Sequence, residues 1–406
     1  MKNSFPNLHF FSLQHIMLAQ TKWSSLKCTS VFRRCLTTLQ HQHKHAPRKG
    51  DLVVMAMSGG VDSSVSAALL KKQGYNVRGI YMRNWDTSDE NGVCTSRQDW
   101  EDVQKVCRHL DIECQHVDFV KEYWNDVFEK TLDDYARGLT PNPDIACNSF
   151  IKFGALLDRI PKDAWFATGH YCRSVDGRLL RGRERNKDQS YYLSTVPEQA
   201  LRRTIFPLGE IESKSSVKQL AKELGLHDIA TKKESMGICF VGQRRRFADF
   251  LEQYIDQPPG PVVNLDNGQL IGQHQGLFGY TIGQASRICH GSDKWFVAQK
   301  IMSENKLVCV AGSNHPSLFH NGCVARDWVW IHQNPPKGLT EGSGEMVVDA
   351  QIRYRQSPEK AILSLQPDGQ YSVRFMNPIR AIARGQQVVV WDQDWCLGGG
   401  VIEHVL

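Results

Sequence analysis

No aspartate or glutamate occurs among the first 50 residues of this 406-residue chain, although the whole sequence carries 43 acids. Those 50 residues hold eight basic side chains: Lys2, Lys22, Lys27, Arg33, Arg34, Lys44, Arg48 and Lys49. The remainder carries 41 basic and 43 acidic groups, so the formal charge of +6 belongs to the N-terminal segment. A uniformly basic, nucleic-acid-coating protein is thereby excluded. Twelve cysteines are present, but no C-x-x-C, which removes the usual signature of zinc ribbons and thioredoxin-like pairs. Their scatter through a long chain is unlike a small disulfide scaffold, so a reducing compartment is expected. No apolar run approaches the roughly 18–20 residues of a membrane span. There is no Gly-Lys dipeptide and no G-x-G-x-x-G, so the Walker loop and the dinucleotide fingerprint are both missing.

What is present reads as a leader followed by a globular protein. The acid-free segment 1–50 is rich in Arg, Lys, Ser, Thr and His. Phe32, Cys35, Leu36 and Leu39 recur at helical spacing, with Arg33 and Arg34 on the other face. That composition predicts a mitochondrial presequence and a matrix location; a disordered basic tail, or a start at Met17 or Met55, is the plainer alternative. The whole chain is 41% hydrophobic and 23% charged, as in ordinary globular proteins. About 350 residues suggests two or three domains.

From residue 51 strands alternate with helices. Strands are expected at Leu52–Met57, Asn76–Met82, Glu113–Phe119 and Ala164–His170. Helices are expected after Ser63, over Ser96–Leu110 with Ser96 and Asp99 as caps, over Tyr123–Arg137 and over Asn148–Ile160. This pattern predicts a doubly wound α/β domain with a parallel sheet over 51–205. Asp176-Gly177 looks like a hairpin turn. A helix over Ser213–Leu224 suggests a small middle domain, placed at 206–285. Short β-like segments then predict a C-terminal β-barrel over 286–406.

The strongest local signal is SGGVDSS, Ser58 to Ser64, between the first strand and helix. Gly59 and Gly60 allow successive N–H groups to turn inward, the helix presents its positive end, and Ser58, Ser63 and Ser64 add hydroxyls. The unit predicts a pyrophosphate cradle, against the alternative of an ordinary Gly-rich turn. It resembles the PP-loop of ATP pyrophosphatases, which implies ATP as substrate and Mg²⁺ with it, Asp62 contributing to the metal; no other metal site is expected.

Two cysteines stand in distinctive surroundings. TPNPDIACNSFIKFG places Cys147 in a Pro-rich loop before a helix, whose N-terminus would favour a thiolate, with Lys152 one turn on. SMGICFVG places Cys239 among Lys232, Lys233 and Arg244–Arg246. Either could instead be a small buried hydrophobe. Together with GHY (169–171), NKDQSYYL (186–193), FPLG (206–209), GLFGYTIGQ (276–284) and IRYRQ (352–356), these segments resemble the tRNA 2-thiouridylases over nearly everything from Leu52 onward. The presequence points to the mitochondrial members of that family.

The resemblance implies the following roles. Ala56, Met57, Ser58, Gly59, Gly60, Val61, Asp62, Ser63, Met82 and Gly169 contact ATP. Asn142, Pro143 and Asp144 contact the target base. Cys147 is the nucleophile and Cys239 carries a persulfide, with a disulfide between them in one version of the cycle; Asp144 is a candidate proton carrier. His170, Lys187, Asp188, Gln189, Arg353, Tyr354 and Gln386 contact tRNA. The implied reaction adenylates the C2 oxygen of a C5-modified wobble uridine, such as 5-taurinomethyluridine, so that sulfur displaces AMP. The implied partners are the anticodon stem-loops of mitochondrial Lys, Glu and Gln tRNAs and a cysteine desulfurase or relay protein as sulfur donor; no membrane is involved, and a monomer is expected. Many relatives carry Gly where Ala56 stands, and Arg-Lys-Gly where Ala285-Ser286-Arg287 stands. Local charge is compatible with RNA: residues 173–203 net +4 and 231–246 net +4, against −9 over 84–135. The competing expectations are a PP-loop amide synthetase acting on a small metabolite, and a catalytically inert tRNA-binding module.

Overall fold

The computed structural model describes residues 46–85, 95–232, 247–340 and 344–406. The apolar run Leu52–Met57 forms β1, and α1 (Val61–Lys72) follows the glycine loop. Next come β2 (Asn76–Arg83), α2 (Thr95–Leu110) and β3 (Glu113–Asp118). A continuous helix α3 runs through Val120–Tyr123, a π-turn Trp124–Phe128 and Glu129–Ala136. A second, α4, runs through Pro143–Ala146, a π-segment Cys147–Ala155 and Leu156–Arg159. Then follow β4 (Trp165–Ala167), the hairpin β5 (Cys172–Val175) and β6 (Arg178–Arg181), α5 (Glu198–Arg202) and β7 (Thr204–Ile205). Strands β3-β2-β1-β4-β7 form one sheet, parallel throughout.

Alternate residues of these strands feed opposite cores, as the two-residue period of a strand requires. Val53, Met55 and Met57 face α1, α2 and the helices α6 (Lys214–Glu223) and α7 (His227–Thr231). Val54, Ile80 and Phe166 face α3 and α4. Both faces of β1 are covered, which is why it reads as an unbroken apolar run. Helix α6 starts where Ser213 Oγ accepts from Ser216 N–H (3.2 Å) and is followed by Gly225 at φ +76°. It belongs to the sheet's core through Val217, Leu220 and Ala221, not to a middle unit as its sequence neighbourhood suggests. Each such buried Val or Leu contributes about 1.5–3 kcal/mol, enough to fix the helix there.

Helix α8 (Phe247–Leu251) leads to a four-stranded sheet, β10-β11-β8-β9, built from β8 (Gly260–Asn264), β9 (Leu270–His274), β10 (Trp295–Ile301) and β11 (Lys306–Ala311). The segments near 295–311 therefore pair here, β11 lying parallel to β8, rather than in the barrel. The barrel strands are β12 (Phe319–Trp330), β13 (Glu345–Gln351), β14 (Glu359–Leu365), β15 (Tyr371–Arg380), β16 (Gln387–Asp392) and β17 (Trp395–Val405); β12 pairs with both β15 and β17 and closes the ring. The β5–β6 hairpin turns at Asp176 (φ +49°) and Gly177 (φ +84°), a two-residue turn with both central φ values positive. It is annexed to the barrel at Leu180 opposite Trp395. Helix, sheet and barrel are thus sewn together before the barrel's own strands begin. Among the described residues no helix is long and apolar enough to cross a membrane.

Candidate active site

In the strand order β2-β1-β4, β1 is the point where the winding reverses, and the crevice beyond its carboxyl end is where open α/β sheets bind ligands. SGGVDSS occupies that crevice. Ser58 N–H donates to Ser63 Oγ (3.2 Å), Gly60 N–H to Ser58 Oγ (3.4 Å) and Ser64 Oγ to Gly60 O (2.8 Å). Gly59 holds φ +71°, and a Cβ there would stand 2.7 Å from the Asp99 carbonyl oxygen. Helix α1 begins at Gly60 with no side-chain cap, so its first N–H groups are left for a ligand. Gly169, after β4, closes the other side; a Cβ on it would stand 3.0 Å from Ser63 N. Ala56 and Met82, at the ends of β1 and β2, are half-buried against the α3–α4 core.

Two lysines brace this loop, and the motif itself gives no sign of either. Lys214 Nζ holds both oxygens of Asp62, one at 2.5 Å, and Tyr171 Oη donates to the same carboxylate (2.7 Å). Lys232 Nζ donates to Gly59 O (3.1 Å) and pairs with Asp99 (2.8 Å) and Asp102 (2.9 Å). Asp99, expected at a helix cap, lies inside α2 and serves this pair instead. A basic stretch around Lys232 is visible in sequence; Lys214 is an unremarked helix-start residue. Among the described residues no three His, Cys, Asp or Glu side chains group as metal ligands. The residues present would fit Mg²⁺ only as a companion of a bound triphosphate, with Asp62 as the carboxylate on the loop itself and Lys214 already beside it.

Cys147 lies within α4, not in a loop before a helix. The helix starts at Pro143, whose missing N–H costs nothing at that position, and the Cys147 N–H already donates to carbonyls of Pro143 and Asp144. The thiol is 4% exposed, and Asn84 Nδ2, from the end of β2, stands 3.9 Å from Sγ. Asn148 Nδ2 donates to Asp144 O (2.9 Å). Burial raises the Asp144 carboxyl above the usual range, opposed by the Lys152 ammonium. His170 is buried between Phe153 and Phe206, shares a 2.8 Å hydrogen bond with Thr168, and is held well below the ordinary imidazole range by burial, with Lys152 adding. Cys239 and Arg244–Arg246 lie outside the described residues.

Comparison with known proteins places this geometry. Residues 51–243 match the model described as tRNA methyl transferase HUP domain, 248–311 the tRNA methyl transferase PRC-barrel domain and 320–402 the aminomethyltransferase beta-barrel domain. The tRNA-specific 2-thiouridylase MnmA of Halalkalibacterium halodurans is 46% identical over 363 residues, covering 87% of this chain and 95% of that protein. That of Pectobacterium carotovorum is 43% identical over 367 residues, covering 87% and 97%. That of Staphylococcus aureus strain RF122 is 44% identical over 362, covering 87% and 95%. The chain belongs to the tRNA-specific 2-thiouridylase family.

For a 2-thiouridylase, the residues expected to face RNA are distributed unevenly. Asn142, Pro143 and Asp144 form the start of α4, and Asn142 lies beside Tyr191, whose Oη donates to Gln387 O (2.8 Å). Tyr354 packs against Tyr192 (ring centroids 4.4 Å), and burial pushes its hydroxyl up to about 12. Both rings lie near Asp144. Arg353 donates to Ala381 O, and Gln386 follows Gly385, which lies against Thr140. These residues converge where α4 meets the barrel. Asp188 also comes near Tyr354, but its carboxylate turns inward: it is buried, accepting from Gly182 N–H, Ser190 N–H and Ser190 Oγ, with Arg181 3.6 Å away. Gln189 Oε1 accepts from Tyr171 N–H, and Lys187 is half-buried in the turn before it. Asn84 and Lys214 carry no local sequence signal of a site role, whereas Lys232 lies in the basic stretch around Cys239 and Tyr192 in NKDQSYYL.

Proposed function

We propose that this 2-thiouridylase is the mitochondrial tRNA-uridine 2-sulfurtransferase, acting on the C5-modified wobble uridine of mitochondrial Lys, Glu and Gln tRNAs. The observation that carries the reading is that Cys147 is held against Asn84 at the end of β2, next to the strand that carries the phosphate loop. This supports the reading by bringing the proposed sulfur-handling thiol to the strand next to the one that carries the proposed ATP loop. A uridine C2 oxygen is a poor leaving group, and adenylation converts it to AMP. Ser58–Ser63 and Gly169 hold the triphosphate, with Lys214 and Asp62 at its edge; Mg²⁺ bound with ATP would offset its charge. Cys239 brings sulfur as a persulfide from a cysteine desulfurase or relay protein. Cys147 assists its release, by attack on the persulfide or by closing a disulfide with Cys239. Asp144, Tyr192, Tyr354 and Arg353 line the approach of the base, which must leave its stack to be reached. The descriptions of the domain models speak of methyl transfer, whereas the relatives that span the chain are 2-thiouridylases, and paired cysteines suit sulfur. An amide synthetase for a small metabolite is not favoured. The matrix address lies within the acid-free residues 1–50, ahead of the Arg48–Gly50 contacts to the folded domain, and the enzyme works as a monomer.

The test is mass spectrometry of mitochondrial tRNA nucleosides in cells expressing only Cys239→Ser or Cys147→Ser. Both should lack 2-thiouridine while the purified proteins still bind ATP. Unchanged 2-thiouridine in either variant would falsify the assignment of that cysteine.

A further inference from the structure

Asn84 is 7% exposed and follows β2 directly. Its position is fixed by Trp85, which packs edge-on against Phe128 (4.7 Å) and stacks on Trp124 (5.7 Å). Its amide divides into two halves with different fates. Nδ2 stands 3.9 Å from Cys147 Sγ as a donor. Oδ1 is buried and has no hydrogen-bond partner among the described residues. The oxygen of Asn148, 3% exposed and next to Cys147 in the chain, is unpartnered in the same way. Buried polar atoms are nearly always satisfied, and two orphaned acceptors beside one reactive sulfur call for an explanation. Burial also disfavours an anionic sulfur unless a donor stands near it.

We propose that Asn84 is a catalytic residue: its Nδ2 hydrogen supports negative charge on the Cys147 sulfur, and its Oδ1 accepts a hydrogen bond from the substrate base. The second half rests on the tRNA reading above. A uracil base in RNA has one ring N–H, at N3, and N3 is bonded to C2. A base whose N3–H is held by Oδ1 presents C2 one bond away, beside the sulfur that the same amide supports. One side chain then supports the Cys147 sulfur, which frees the sulfur carried by Cys239, and sets the register of the base that receives it. The orphaned oxygens await a donor that arrives with the substrate.

Two measurements on the full chain test the halves separately. The first follows alkylation of Cys147 by iodoacetamide against pH, by peptide mass spectrometry, in wild type, Asn84→Ala and the nearly isosteric Asn84→Asp. At pH 7 the rate should fall about tenfold in Asn84→Ala and further in Asn84→Asp, whose carboxylate repels the thiolate. The midpoint should move to higher pH, with ATP affinity within about twofold of wild type as the control for folding. Superimposable pH profiles in all three proteins would overturn the first half. The second measures binding of an anticodon stem-loop carrying uridine or N3-methyluridine at the target position. Wild type should bind the methylated RNA about tenfold more weakly, and Asn84→Ala should bind the two alike. Equal discrimination by both proteins would overturn the second half. The alkylation result needs no RNA. Failure of every protein to bind either RNA would count against the tRNA reading and leave the first half standing on its own data.

Discussion

The phosphate loop follows β1 and the Cys147 helix meets the end of the neighbouring β2, and the two are finished to different degrees. In the loop, Ser58, Ser63 and Ser64 are hydrogen-bonded to one another or to Gly60, Asp62 is held by Lys214 and Tyr171, and Lys232 locks Gly59 to α2. Around the Cys147 helix, the side-chain oxygens of Asn84, at the end of β2, and of Asn148 lack partners among the described residues, and Asp144 sits in surroundings that disfavour its charge. Each unsatisfied buried acceptor costs about 1–3 kcal/mol, which the packed cores on both faces of the sheet offset. The contrast teaches how the work is divided. A triphosphate has the same shape every turnover, so its cradle can be completed in advance. In the proposed reading the RNA base arrives with its own donors, and the pocket that would receive it is left short of them.

The largest effect that could break this comparison is on the rigid side. Gly59→Ala must place a Cβ 2.7 Å from the Asp99 carbonyl at φ +71°, where a side chain is strained in any case. ATP affinity by calorimetry should fall about a hundredfold or more, since the N–H groups of the cradle move together. Near-normal binding would mean the loop is adaptable and the contrast is false.

A smaller effect is expected at Lys214. Replacing it with Met leaves the Asp62 carboxylate unneutralised beside a polyanion, and ATP affinity should drop roughly 10–30-fold. Adding Asp62→Asn removes the offending charge and should restore part of the loss. Strictly additive losses in the double variant would show that the pair does not act as a unit.

On the unfinished side the sign reverses, because the folded state bears a penalty there. The Asp144 carboxyl titrates higher in the fold than in the unfolded chain. The folded protein therefore binds more protons between those two values, and stability falls as pH rises through them. Asp144→Asn should melt roughly 1–3 °C higher than wild type at pH 7–8, lose that advantage below about pH 4, and lose thiolation throughout. A variant less stable at pH 8 would show that the carboxylate is satisfied after all.

The same division governs what the chain's letters disclose. β1 is legible because both its faces are buried, and the turn at Asp176-Gly177 because positive φ selects those residues. The loop is legible because glycines and serines at fixed spacing have few other uses there. Lys214 is hidden because its partner Asp62 lies 152 residues away and nothing local distinguishes it from a solvated helix-start lysine. Asn84 is hidden for the same reason, its partner being 63 residues on. The allegiance of β5–β6 to a barrel more than a hundred residues downstream, and of α6 to the sheet's core, are likewise non-local facts. The inward turn of Asp188 is hidden too, since nothing local in NKDQSYYL shows that its carboxylate holds a buried turn.

The smallest effect concerns the segment that carries the chain's net positive charge. Its basic groups are proposed as an address and not as part of the RNA surface, so their removal should leave catalysis alone. Where to cut is settled by contacts. Gly50 N–H donates to Gly74 O (2.9 Å), Arg48 N–H to Asp51 Oδ2 (2.7 Å), and Lys49 packs over Gly74, so these residues brace the entry to β2. A protein lacking residues 2–45 keeps all three contacts. Its kcat and its KM for tRNA should stay within about twofold of the full chain, because charges off the binding face contribute little at physiological screening. Cutting at residue 50 instead should lower the melting temperature through loss of the brace without a separate effect on tRNA. A rise in KM for tRNA on removing residues 2–45 alone, with melting unchanged, would move those charges from the address to the substrate surface.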